Sequence, residues 1–161
     1  MRRVGVGRII TGGSLIFLIG CGGGEGPIAP PPPVPAQYAD KHMPEGWWTD
    51  PAVIADGKAI YEGKKDIDVN CASCHGTDGK PKKRGARDFR VAERMKLYSD
   101  SALLWRVSEG VAKTKMKPWK KKLSEEEMWK VVAYLHAFSH GGQPASHDDY
   151  TPGAQQPPPA S

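Results

Sequence analysis

The chain has 161 residues, of which 39% are hydrophobic and 25% charged, enough for one domain of ordinary size and little more. Its formal charge of +5 includes Arg2, Arg3 and Arg8 at the extreme N-terminus. Without them the net charge is too small to argue for nucleic-acid binding, so any electrostatic role must come from where the charges sit. Three cysteines, an odd number, do not make a scaffold of paired disulfides.

Residues 1–20 combine those arginines with a short apolar run from Ile9 to Ile19 that ends Leu18-Ile19-Gly20-Cys21. This is the layout of an export signal, and the run is too short to span a bilayer comfortably. It resembles a bacterial lipoprotein signal, whose final cysteine is lipidated and becomes the new first residue. Cys21 fits that position, which accounts for the odd cysteine and implies a lipid anchor on the periplasmic side of a membrane. Gly22, rather than Asp, follows the cysteine and favours the outer membrane. The alternative is a plain signal, with Cys21 incidental near the cut or the membrane segment retained uncut.

Residues 21–46 hold Gly22-Gly23-Gly24 and Pro30-Pro31-Pro32-Pro33 and read as a flexible tether. Residues 140–161 are rich in Pro, Gly, Gln and Ser and read as a disordered tail. The folding unit is then 47–139, small enough to gain from a buried prosthetic group.

Within that unit the first predicted helix starts at Asp50-Pro51, with Asp50 as cap and Pro51 in the first turn. Val53, Ile54, Gly57, Ile60 and Tyr61 follow at helical spacing. A middle helix is expected from about Asp100 to Glu109, closed by Gly110. A last helix starts at the capping box Ser124-Glu125-Glu126-Glu127 and carries Met128, Val131, Val132, Leu135 and Phe138 on one apolar face. No segment has a convincing strand pattern, so the expected class is all-α, three to four helices.

Between the first two helices lies Cys71-Ala72-Ser73-Cys74-His75. Two thiols three positions apart can reach the two vinyl groups on one edge of a porphyrin, and the adjacent imidazole can ligate the iron. A zinc site would usually need a second ligand pair, and no other cysteine lies in the folding unit. A thioredoxin-like pair expects strand, turn and helix around it and does not require the histidine. A disulfide closing so small a loop adds little.

The motif and its flanking helices resemble the class I c-type cytochromes over nearly the whole folding unit. The resemblance implies a small cytochrome c fold around one covalent haem c, bound through Cys71 and Cys74 with His75 on the iron. It also implies that the first and last helices cross near Gly57 and Tyr61, meeting Val131 and Tyr134. The stretch from Gly110 to Trp119 looks like the family's distal loop, which makes Met116 the sixth ligand, although Lys117 stands where many relatives have Pro. A thioether is a soft ligand suited to reduced iron. Met95, Met128, His42, His136, His140 and His147 are the other residue types able to fill that position. Arg87, in a segment similar to one found in bacterial members, and Trp119 are candidate donors to the haem propionates.

From Val111 to Leu123 there are six lysines and no acid: Lys113, Lys115, Lys117, Lys120, Lys121 and Lys122. Lys82 and Lys83 add a second basic run. If both flank the haem crevice they would steer redox proteins with acidic docking surfaces to it; otherwise they keep a small domain soluble. The resulting expectation is a membrane-tethered carrier of single electrons, not an enzyme, with no small-molecule substrate and no nucleic-acid partner. A permanent haem subunit of a larger respiratory complex, or a haem enzyme or gas sensor with a displaceable distal ligand, stays open.

Overall fold

The structure is a computed structural model and describes residues 28 and 30–139. The expected export signal at 1–20, the expected lipidation site Cys21, the start of the expected tether, and the expected tail at 140–161 with His140 and His147 lie outside the described residues. Among the described residues the fold is all-helical, with no strand.

The helices are α1 (Ala36–Ala39), α2 (Pro51–Tyr61), α3 (Ala72–His75), α4 (Ala92–Met95), α5 (Asp100–Glu109) and α6 (Glu125–Ser139). Each long helix begins on a side chain that takes up backbone donors left free in its first turn. Asp50 Oδ1 accepts from Ala52 N at 2.8 Å and from Val53 N at 3.4 Å, with Pro51 in the first turn. Ser99 Oγ accepts from Ala102 N at 3.1 Å. At α6 the capping box closes in both directions: Glu127 N donates to Ser124 Oγ at 3.1 Å, and Ser124 N donates to Glu127 Oε2 at 2.9 Å.

The main packing is α2 across α6. Gly57 makes it possible, because a Cβ there would lie 1.9 Å from Lys130 O and 3.1 Å from Tyr134 Cβ. Below the crossing, Tyr61 meets Tyr134 edge-on with ring centroids 5.3 Å apart, and Phe138 packs on both. Tyr61, Val131 and Val132 are fully buried there. The expected crossing of first and last helices is thus built on the glycine and aromatic pair named from sequence.

The chain enters the folded unit before residue 47, which corrects the reading of 21–46 as flexible throughout. Tyr38 and Met43 are buried in the common core, and Val34 packs against it. The Tyr38 hydroxyl is 2.8 Å from Ser108 Oγ and donates to Glu109 Oε1 at 2.7 Å. These buried apolar and hydrogen-bonded groups hold down a segment whose proline-rich lead-in suggested no order.

Candidate functional site

The centre of the site is a single helical turn. Cys71 O accepts from Cys74 N at 3.1 Å and from His75 N at 2.9 Å. Residues 71, 74 and 75 therefore lie on one face, the i, i+3, i+4 relation of a helix surface. Asn70 starts the turn: its Oδ1 accepts from Ser73 N at 2.9 Å and its carbonyl from Ser73 Oγ at 2.7 Å. Gly76 ends it with φ +77°, where a Cβ would lie 2.1 Å from Lys80 O. Cys71 and Cys74 are half-buried and not disulfide-linked. Burial pushes the Cys71 thiol up to about 11.

His75 is held on two sides. Its ring stacks on Phe89 at 4.6 Å and 18°, and Phe89 in turn stacks on Phe138 of α6 at 6.1 Å. Its Nδ1 is 3.2 Å from Arg87 O. A carbonyl only accepts, so Nδ1 carries the proton and Nε2 keeps its lone pair. Desolvation lowers the His75 pKa, against a weaker opposing effect of the Arg87 hydrogen bond, and so favours the neutral imidazole. A neutral ring with a fixed tautomer and a free Nε2 is the form that ligates a metal.

The loop carrying Met116 is fixed through its backbone. Val111 N donates to Met116 O at 3.0 Å, and Met116 N donates to Thr114 Oγ1 at 3.0 Å. Gly110, at φ +69°, fits against this loop so closely that a Cβ would lie 2.4 Å from Met116 O. The chain then returns to α5, where Trp119 N donates to Val107 O and Ser108 O, both at 3.1 Å. Met116 itself is half-buried.

Among the described residues the remaining ligand candidates are engaged elsewhere or lie off this loop. His136 Nε2 is 2.7 Å from Asp100 Oδ1. Met95 and Met128 are buried core residues of α4 and α6, and His42 is exposed.

Trp119 Nε1 is buried with no hydrogen-bond partner among the described residues. A buried indole donor left unsatisfied costs free energy unless a bound group supplies an acceptor. The two thiols and the neutral imidazole of one helical turn fit a covalent haem, and Trp119 holds a donor that a bound acceptor would satisfy. The Arg87 side chain is exposed, and its main-chain carbonyl is the part that meets His75. That contact and the Asn70 cap were missed in the sequence. An Asn just before a cysteine-led turn is a readable cap signal, whereas a carbonyl's partner leaves no trace in residue type.

The lysines divide into two sets. Lys120 pairs with Glu109 and Lys122 with Asp68, each at 2.8 Å. Lys113, Lys115, Lys117, Lys121, Lys82 and Lys83 are exposed and form no ion pair among the described residues.

A helical fold gathered on a Cys-x-x-Cys-His turn defines a c-type cytochrome of class I. Residues 52–135, more than half the chain, match the family described as Cytochrome C oxidase, cbb3-type, subunit III, and the chain belongs to that family of cytochrome domains. Among solved structures it is similar to the KustC0563 c-type cytochrome, with 33% identity over 52% of this chain and 96% of that one, TM-score 0.45. It is also similar to cytochrome CL from the marine methylotrophic bacterium Methylophaga aminisulfidivorans, with 20% identity over 57% of each chain, TM-score 0.46. A third is cytochrome c6 from the diatom Phaeodactylum tricornutum, with 23% identity over 55% of this chain and 97% of that one, TM-score 0.43. A search of curated proteins gives no match. As a member of the family the chain binds haem c covalently, one haem in a domain of this size, and serves haem-based electron transfer between redox proteins.

Proposed function

We propose that this protein is a carrier of single electrons whose haem is attached through Cys71 and Cys74 and ligated by His75 and Met116. The observation that carries the reading is the His75 tautomer. Nδ1–H on Arg87 O leaves Nε2 as the ligand atom, and stacking on Phe89 fixes the plane of the ring. Haem c would supply a one-electron iron couple, and with both His75 and Met116 holding the iron no position would be left for a substrate. The chain's own contribution is to fix both ligands, exclude water and offer a docking edge. Trp119 Nε1 and Arg87 are the proposed donors to the propionates.

Docking falls to the lysines that form no ion pair among the described residues, Lys113, Lys115, Lys117, Lys121, Lys82 and Lys83, with an acidic partner surface. Lys120 and Lys122 contribute less, because Glu109 and Asp68 already neutralise them locally. We further propose export and lipid anchoring through Cys21, with the carrier facing the periplasm. Among the described residues no helix is long and apolar enough to cross a membrane. A Cys21→Ser protein should be released from membranes; one that stays bound with an uncleaved N-terminus contradicts the anchor.

A permanent place in a respiratory complex is the second reading, favoured by the family's description as an oxidase subunit. Carbon monoxide separates a carrier or subunit from a catalytic or gas-binding haem. Reduced protein at neutral pH should not bind it, and stoichiometric binding would overturn closed ligation. Co-purification in mild detergent then distinguishes carrier from subunit.

A further inference from the structure

The ordered stretch ahead of α2 has no part in the site described so far, yet it is anchored where the Met116 loop returns. Tyr38, in α1, is buried, and its hydroxyl reaches both Ser108 Oγ at 2.8 Å and Glu109 Oε1 at 2.7 Å. Those two residues end α5. Ser108 O accepts from Trp119 N at 3.1 Å and from Lys120 N at 3.3 Å, and the Glu109 carboxylate pairs with Lys120 Nζ at 2.8 Å. Gly110 follows directly, with its α-carbon against the backbone of Met116, Lys117 and Pro118. Both ends of the Met116 loop therefore rest on residues 108–110, two of which Tyr38 hydrogen-bonds.

We propose that the segment around Tyr38 is a strap, in which the Tyr38 hydroxyl acts through Ser108 and Glu109 as a positioning group for the Met116 loop. The inference rests on the reading of Met116 as sixth ligand. Two further features agree with it. Glu109 is held below the usual carboxylate range, by the Lys120 hydrogen bond first and the Tyr38 hydrogen bond second, so the acceptor is an anion and the bonds to it are charge-assisted. The strap is also tied at its far end, where Lys41 pairs with Glu125 at the start of α6.

A groove of about 440 Å³, open to solvent, runs along the strap, lined by Tyr38 and Lys41 on one side and by Leu104, Leu123 and Met128 on the other. Buried Tyr38 and Met43 hold the strap together with the polar contacts of the Tyr38 hydroxyl. Losing those polar contacts should let the loop open without unfolding the helices, the behaviour of a locally low-stability unit.

The test uses full-chain ferric holoprotein titrated with imidazole at neutral pH, following the red charge-transfer band of methionine-bound haem. Tyr38→Phe keeps the ring and removes both hydrogen bonds. A typical net hydrogen bond corresponds to about fivefold in an equilibrium constant, and one to a charged group to more. Imidazole should thus displace the methionine about five- to tenfold more readily. Glu109→Gln should give a smaller rise, since the acceptor stays and its charge goes. Thr49→Val, which loses the hydrogen bond to Gly46 O ahead of α2, should leave imidazole affinity unchanged. Tyr38→Phe with lowered stability but wild-type imidazole affinity overturns the strap while leaving the ligand assignment standing. A wild-type protein without the band removes the ligand assignment and the strap together.

Discussion

Gly57 and Lys130 touch through their main chains: no side chain fits between them, since a Cβ on Gly57 would lie 1.9 Å from Lys130 O. The closeness of α2 and α6 depends on that one missing carbon, and α6 in turn carries Phe138, which backs the Phe89 ring against His75. Gly57→Ala should therefore force the helices apart, costing about 1–3 kcal/mol or more as an overpacked core does. A lowered denaturant midpoint and poorer haem incorporation are the expected readouts. A holoprotein of wild-type stability would contradict the crossing.

The Ser124 capping box makes a smaller and separable contribution. Ser124→Ala removes the acceptor for Glu127 N and should cost about 1 kcal/mol, with an unchanged haem spectrum. Chemical denaturation followed by helical circular dichroism measures it.

Acid should weaken the fold in a way that Glu109 helps to set. Its folded pKa lies below the ordinary 4.5, by hydrogen bonds from Lys120 and then Tyr38. A depressed carboxylate stabilises the folded state above its unfolded pKa, and that contribution is lost as pH falls through the depressed value. Stability should thus decline below about pH 4.5, and Glu109→Gln should flatten part of that decline. Unfolding midpoints measured between pH 3 and 7 test the sign; a Glu109→Gln protein with an equally steep acid limb contradicts it.

Electron exchange should report which lysines are available. Oxidation of the reduced holoprotein by an anionic complex such as ferricyanide should slow as ionic strength rises. Lys121→Gln should lower the rate more than Lys122→Gln, because Lys122 already shares its charge with Asp68. Equal effects would show that the ion pair does not matter to docking.

Much of the fold was legible because local chemistry agrees with the final structure at each helix boundary. Asp50, Ser124 and Gly110 act where their residue types say they should, and Tyr61 meets Tyr134 as the family crossing implies. The strap was not legible. Tyr38 and Met43 have no helical or alternating pattern around them, and the Tyr38 hydroxyl finds its partners in Ser108 and Glu109, 70 and 71 residues away. The pairing of Lys120 and Lys122 was hidden for the same reason, since a basic run shows its sign in sequence and not its partners. At the candidate site the motif showed the donor types, whereas the Arg87 carbonyl that selects the His75 tautomer belongs to the backbone and could come only from the fold.

The most direct test of the account is the ferric spectrum of Met116→Ala beside wild type. The account predicts the red methionine-to-iron charge-transfer band in the wild-type protein and its complete loss in the variant, with the haem still covalently attached. A variant spectrum identical to wild type would contradict Met116 as the ligand opposite His75, and with it the closed, substrate-free iron on which the carrier reading depends.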